Sequence, residues 1–244
     1  MNVQTKPATE DAAAIVAELG RRAKTAAAAL RNAPTDAKNR ALANAARLIR
    51  NEKPAILDAN ARDIEAAKAA GMTTALQDRL LLNDARVEAM AKGLDEIAAL
   101  PDPVGAIIEE WQRPNGLALS RVRVPIGIIG VIYEARPNVT ADAGALCIKS
   151  GNVVVLRGGS DSFHSSRFIV ELLRRALSEA GLPEDCVALV PTTDRAAVGE
   201  MLRAMDWLDL IVPRGGRSLI DRVTQESRVP VLRHYDGICH VYVD

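Results

Sequence analysis

The chain has 244 residues, 48% hydrophobic and only 3% aromatic, enough aliphatic material for one large domain or two small ones. Its 31 basic residues balance 31 acidic ones, which argues against the basic face of a nucleic-acid binder, and no apolar run reaches the ~18–20 residues of a membrane span. The opening MNVQTKPATEDAAAIV lacks a secretory pattern, and Cys147, Cys186 and Cys239 are odd in number without a CxxC pair, so a cytoplasmic protein with reduced thiols and no metal site is expected.

The first hundred residues read as helices. Asp11 to Arg31 is rich in Ala and Leu. Thr35 is placed to cap a second helix carrying Leu42, Ala45, Ala46 and Ile49 on one stripe. Pro54 marks a third, in which Leu57, Ala61 and Ile64 keep helical spacing toward Gly71. Asn83 or Asp84 opens a fourth, with Val87, Met90, Ala91, Leu94, Ile97 and Ala98 on one face. Nothing in these helices demands chemistry.

After Pro101-Asp102-Pro103 come two short strand-like runs, AIIEEW and LALSRVRV, around the turn Arg113-Pro114-Asn115-Gly116. Asn-Gly is a hairpin signal. The second run alternates and puts Arg121 and Arg123 on one side, so the ribbon belongs at a surface or interface.

From Pro125 the pattern becomes strand–helix repeats. Strands are expected at 128–134, 152–157, 186–190, 208–212 and 229–232, with helices at 139–149, 163–180, 194–204 and 216–225 between them. Near-continuous apolar strands separated by helices predict an α/β fold with a parallel sheet covered on both faces. GICHVYVD reads as one more strand, and a chain ending inside a strand reads as interrupted.

Ligands of open parallel sheets bind beyond the carboxyl ends of the strands. Three such ends are unusual: Glu134-Ala135-Arg136-Pro137-Asn138, Arg157-Gly158-Gly159-Ser160 and Pro213-Arg214-Gly215-Gly216-Arg217-Ser218. Two of them pair glycines with arginines beside a helix start, where backbone N–H groups and guanidinium together favour a phosphate. Each Gly-Gly alone is equally a tight turn, but two at one sheet edge favour an anion site. No GxGxxG follows any strand, which disfavours a conventional dinucleotide site. His164 reads as a polar helix end, and Cys147 and Cys186 as small buried residues. His234 and His240 flank Cys239, yet Cys239 and His240 are neighbours in an expected strand and point to opposite faces. A structural cysteine is the simpler reading.

VPIGIIGVIYEARPNVTADAGALCIKSGNVVVLRGGSDS resembles the γ-glutamyl phosphate reductases, a branch of the aldehyde dehydrogenase superfamily. GLPEDCVALV, DLIVPRGGRSLI and DGICHVYVD follow in that family's order and spacing. YEARPNVT and VVVLRGGS are specific to the branch, whereas PxGxxGxI…GNxVVxK/R is shared by the superfamily. The resemblance implies an aldehyde dehydrogenase-like cofactor domain, with N-terminal helices (1–104) packed on a Rossmann-like NADP-binding sheet (125–233). A hairpin excursion of the oligomerisation type (105–124) interrupts it, and 234–244 begin the strand toward a catalytic domain.

The activity so implied is NADPH-dependent reduction of L-glutamyl 5-phosphate to L-glutamate 5-semialdehyde with release of phosphate. A cysteine thiolate displaces phosphate and hydride from NADPH then releases the aldehyde. Arg157, Gly158, Gly159 and Ser160 would take the NADP 2′-phosphate, and Gly215 and Gly216 the pyrophosphate. Arg136 and Asn138 would meet the substrate, their loop contributing an amide to the oxyanion site. The nucleophilic cysteine is implied beyond Asp244, so no catalytic residue is expected within the chain, and the 244 residues alone are expected to turn over negligibly. A homo-oligomer is implied for the full-length protein, and a non-catalytic nucleotide-binding module with a regulatory role is the alternative.

Overall fold

The computed structural model of the chain describes residues 11–233. The run Gly237–Asp244, with Cys239 and His240, and His234 before it, lie outside the described residues.

Helix α1 (Ala12–Leu30) starts where Asp11 accepts the N–H groups of Ala13 and Ala14 at 3.0 and 3.4 Å. Helix α2 (Thr35–Asn51) buries the expected stripe Leu42, Ala45, Ala46 and Ile49. Thr35 does not cap it. Pro34 holds the cap position, and the Thr35 hydroxyl donates to Asp102 Oδ2 at 2.6 Å, beside the buried Lys38 ammonium 2.5 Å from the same oxygen. A carboxylate is a strong acceptor for a hydroxyl, and Thr35, as the first residue of α2, lies inside the helix rather than at its cap.

Helix α3 (Lys53–Ala69) has Pro54 in its first turn, where its missing N–H costs nothing. The face it buries differs from the expected one. Ile56, Asn60, Asp63 and Ala67 are inside, while Leu57 and Ile64 are only half-buried and Ala61 is exposed. Both stripes have helical spacing, and polar partners elsewhere in the fold select the one containing Asn60 and Asp63. The short helix α4 (Thr74–Leu80) was not expected, because it buries only Leu80 and leaves no apolar stripe. Helix α5 (Asp84–Ala99) begins at Asn83, whose side chain accepts Arg86 N–H at 2.9 Å, and buries Val87, Met90, Ala91 and Leu94.

The ribbon consists of antiparallel β1 (Ile107–Gln112) and β2 (Ala118–Val122), turning at Gly116, whose φ of 86° favours glycine. All of β1 is exposed, and the Arg121 guanidinium lies 5.9 Å from the Trp111 ring centre. The ribbon stands off the core, as its alternation predicted.

The remaining elements alternate: β3 (Ile128–Tyr133), α6 (Asn138–Lys149), β4 (Val153–Arg157), α7 (Phe163–Glu179), β5 (Val187–Leu189), α8 (Ala196–Arg203), β6 (Leu210–Arg214) and α9 (Arg217–Glu226). The strands form one parallel sheet in the order β5-β4-β3-β6. β3 and β4 are buried along their whole length, so both faces are covered as their apolar runs require. With right-handed crossovers, α6 and α7 lie on one face, and the return from β5 to β6 carries α8 to the other, beside α1. The expected strand at 229–232 shrinks to a single parallel bridge between Val231 and Ile211, since Pro230 has no N–H to extend the ladder. Cys186 sits in a 3-10 turn just before β5 rather than in the strand.

Gly20 marks where α1 meets the connection between α8 and β6. A Cβ there would lie 2.6 Å from Trp207 Cε2. Gly20→Ala should therefore lose about 1–3 kcal/mol to overpacking, more than the ~1 kcal/mol of helix propensity that alanine supplies. Urea unfolding measures the balance, and unchanged or increased stability would refute the close contact.

Candidate functional site

The winding direction reverses between β3 and β6, and their carboxyl ends flank a crevice. Glu134 leaves β3 there, its N–H donating to Arg214 O at 3.2 Å. Its carboxylate reaches the amino end of α9, where Gly216 N–H donates to Glu134 Oε2 at 3.0 Å. A Cβ on Gly215 would be 2.5 Å from that oxygen and 2.8 Å from Leu219 Cδ2. The second glycine turn thus presents bare backbone to an anion, and the anion on it is an internal carboxylate. This is the arrangement that a helix amino end and flanking glycines favour.

Beside it is a cleft of about 560 Å³, lined among others by Tyr133, Glu134, Arg157, Gly159, Ser160, Asp161, Arg195, Ser218 and Arg222. Arg157, at the end of β4, is buried. Its guanidinium donates to the carbonyls of Gly158, Thr193 (2.9 Å) and Asp194 (3.4 Å), while its Nε has no partner among the described residues. Burial depresses the Arg157 pKa, the Asp161 carboxylate opposes that, and the nearby positive charge of Arg195 depresses it further. Arginine nonetheless stays charged. Arg195 is exposed and makes no hydrogen bond or ion pair among the described residues, so two like charges converge on one cleft.

The first glycine pair does not lead to an open helix end. Gly158 backs onto the buried Tyr133 ring, a Cβ there lying 3.2 Å from its Cζ, and Gly159 precedes a 3-10 turn over Ser160–Ser162. The amino end of α7 beyond is closed by Asp63 of α3, which accepts His164 N–H (3.0 Å), Ser165 N–H (2.8 Å) and the Ser165 hydroxyl (2.5 Å). Asn60, one turn earlier, donates to Ser165 Oγ at 3.1 Å and to Leu80 O at 2.9 Å, and accepts Leu82 N–H at 2.7 Å. His164 is an exposed first-turn residue. Of the two glycine turns, only Gly215-Gly216 offers a helix dipole to a ligand.

Arg136 and Asn138 are not in this cleft. The loop after Glu134 passes through Ala135, at φ 42°, and delivers both to a second cleft of about 400 Å³ between α4–α5 and α6. Arg79, Arg86 and Asp142 line it too. Asn138 Nδ2 donates to Asp142 Oδ2 at 3.0 Å, and burial pushes the Asp142 carboxyl pKa up against that bond. Reading the chain missed α4 and with it this cleft. Asp63, Arg195 and the pairing of Glu134 with Gly216 were likewise not expected; two polar residues at i and i+3 on α3 were the available signal for Asp63.

Cys147 and Cys186 are buried, and burial pushes both thiols up to about 12. Among the described residues no group of three His, Cys, Asp or Glu is placed to hold a metal ion, and no helix is long and apolar enough to cross a membrane.

The sequence matches the profile of the aldehyde dehydrogenase family over residues 3–234. It is 58% identical to the γ-glutamyl phosphate reductase of Paramagnetospirillum magneticum over 96% of this chain and 55% of the relative. To that of Rhodospirillum rubrum it is 57% identical, over 100% and 57%. The chain thus spans about half the length of the curated relatives it matches. Among solved structures, the γ-glutamyl phosphate reductase of Thermotoga maritima superposes with a TM-score of 0.87 at 45% identity, over 89% of this chain and 52% of the other. The Saccharomyces cerevisiae enzyme gives 0.83 at 32%, over 92% and 57%. A probable aldehyde dehydrogenase of Listeria monocytogenes gives 0.73 at 14%, covering 91% and 47%, a likeness of fold alone.

Two outcomes follow from the geometry. Asp63→Ala removes the acceptor for two backbone N–H groups and a buried hydroxyl, and should cost about 2–3 kcal/mol in urea unfolding; a loss within error would mean that α7 is capped otherwise. With pKa values of about 12, only about 10⁻⁴ of each described thiol is ionised at pH 8. In a Cys239→Ser variant, Ellman's reagent should react slowly with the folded chain and fast after unfolding. Because these folded values lie above the unfolded one, the stability each thiol contributes is full below about pH 9 and is lost as pH rises toward 12.

Proposed function

The chain belongs to the aldehyde dehydrogenase family, and we propose that it carries the cofactor-binding part of a γ-glutamyl phosphate reductase. The reaction is NADPH-dependent reduction of L-glutamyl 5-phosphate to L-glutamate 5-semialdehyde with release of phosphate, a step of proline biosynthesis. The observation that carries this reading is the crevice at the β3–β6 reversal, whose glycine turn already accepts an anion at Gly216 N–H.

NADP suits the residues present. Gly215 and Gly216 would hold the diphosphate at the α9 amino end, the role Glu134 Oε2 fills in the free chain. Arg157, with Gly158, Gly159 and Ser160, would form the 2′-phosphate site. Its carbonyl contacts orient the guanidinium, and Arg195 is the exposed cation beside it. When bound, the cofactor supplies the hydride. The chain's own part is to bind, to orient, and to neutralise the phosphates with fixed dipoles and paired guanidinium groups.

Arg136 and Asn138, across the Ala135 bend, would hold the acyl phosphate end of the substrate. Neither Cys147 nor Cys186 suits the nucleophile, since a thiol with a pKa of about 12 is neutral at physiological pH. Acyl transfer is therefore assigned to residues outside those described. The exposed ribbon suits a homo-oligomer, and the buried, unpaired thiols suit the cytoplasm.

Fluorescence titration of the chain with NADPH and NADH tests the assignment. Arg195→Ala should raise the NADPH Kd about tenfold, the worth of one charge-assisted hydrogen bond, and leave that of NADH unchanged. Equal weakening of both would remove the 2′-phosphate from this cleft. Failure of the folded wild-type chain to bind either would remove the cofactor site.

A further inference from the structure

The second cleft has charges that the cofactor does not use. Arg86 is part of its wall, donating to the carbonyls of Asp78 and Leu81 (2.8 Å) and to Asp78 Oδ1 at 2.9 Å. That leaves Asp78 neutralised and Arg86 committed. Arg79 and Arg136 are different: neither makes a hydrogen bond or ion pair among the described residues. Across from them Asp142 is drawn partly out of water, and its only hydrogen bond among the described residues comes from Asn138 Nδ2. A Cβ on Gly93 would stand 4.0 Å from Asp142 Oδ1, so the glycine keeps α5 from crowding this oxygen. Leu81, Leu82, Ala89 and Met90 form an apolar floor.

Two uncommitted cations, one desolvated carboxylate and an aliphatic floor in about 400 Å³ fit a small ligand bearing an ammonium and at least two anionic groups on a short aliphatic chain. We infer that this cleft recognises the α-amino acid end of the substrate, Asp142 taking the α-ammonium while Arg79 and Arg136 take the anionic groups at its two ends. This rests on the reductase reading and deepens it by naming Asp142 and Arg79 as specificity-determining residues. An acceptor already deprived of water loses little more when an ammonium docks on it, whereas a ligand lacking the ammonium leaves that buried carboxylate unpaired. Selection thus falls on amino acids over plain diacids. Asn138, by holding one carboxylate oxygen, positions the other.

The test uses L-glutamate, which has the substrate's ammonium and two anionic ends, against glutarate, which differs only in lacking the ammonium. Calorimetric or NMR titration of the 244-residue chain should find L-glutamate bound at least about tenfold more tightly. Asp142→Asn, a near-isosteric change, should bring that ratio close to one, and Arg79→Gln should weaken both acids alike. NADPH affinity should be unchanged in both variants, which also reports that they are folded. Equal affinity for the two acids, no binding of either, or a preference that survives Asp142→Asn overturns the inference. Loss of the cofactor reading would show instead in the wild-type NADPH titration, which reads the other cleft.

Discussion

The burial of β3 and β4 on both faces is the constraint from which the rest of the molecule follows. Val153, Val154, Val155 and Leu156 are fully inaccessible, and at ~25 cal/mol per Å² each such side chain contributes about 1.5–3 kcal/mol only if helices cover both sides. Covering both faces with right-handed crossovers requires the chain to wind outward through β4 and β5, then return across the sheet to lay β6 against β3. The reversal leaves adjacent strands whose following segments diverge to opposite faces. The crevice holding Glu134 and Gly216 is a by-product of that covering.

Helix amino ends impose the second level of order. Each exposes N–H groups that need an acceptor, and at four of the nine described α-helices a carboxylate supplies it. Asp11 serves α1, Asp63 serves α7, Asp194 accepts Ala196 N–H at 2.8 Å at the start of α8, and Glu134 serves α9. They are not equivalent. Asp63 is buried and makes three bonds within one network, so α7 is closed to any ligand. Glu134 is exposed and holds a single N–H at the mouth of the crevice, and displacing a solvated carboxylate with one bond costs far less than displacing a buried one with three. Burial, more than the presence of glycine, separates the closed helix end at α7 from the accessible one at α9.

This distinction also explains what could be read from the chain and what could not. The strands and most helices carry their burial in their apolar spacing, as α5 and β4 do, and the Asn115-Gly116 turn announces the ribbon. On α3 two stripes had equal spacing, and only the tertiary partner of Asp63, a helix end a hundred residues later, decides between them. Helix α4 leaves no stripe because it buries a single leucine, so the cleft it walls could not be inferred. The glycine pairs were visible, but the pairing of Glu134 with Gly216 and of Asp63 with His164 and Ser165 was not, since pairing between carboxylate and distant N–H leaves no periodic trace. Thr35 was misassigned for a related reason: the helix starts at Thr35 itself, and its hydroxyl donates to Asp102, 67 residues away.

The five residues Glu134 to Asn138 join these levels. A strand running straight on from Tyr133 would keep to the two faces of the sheet, and one face would receive Glu134, Arg136 and Asn138 together. Instead Ala135 adopts a positive φ of 42°, a conformation costing roughly 1–2 kcal/mol for a residue with a Cβ. It is held by burial. The bend sends Glu134 toward α9 and Arg136 toward α4–α5, and Pro137, at φ −61°, starts α6 so that Asn138 and Asp142 lie one turn apart on the second cleft. Glu134 and Arg136, one on each cleft, are thereby separated by a single strained residue at the end of a fully buried strand.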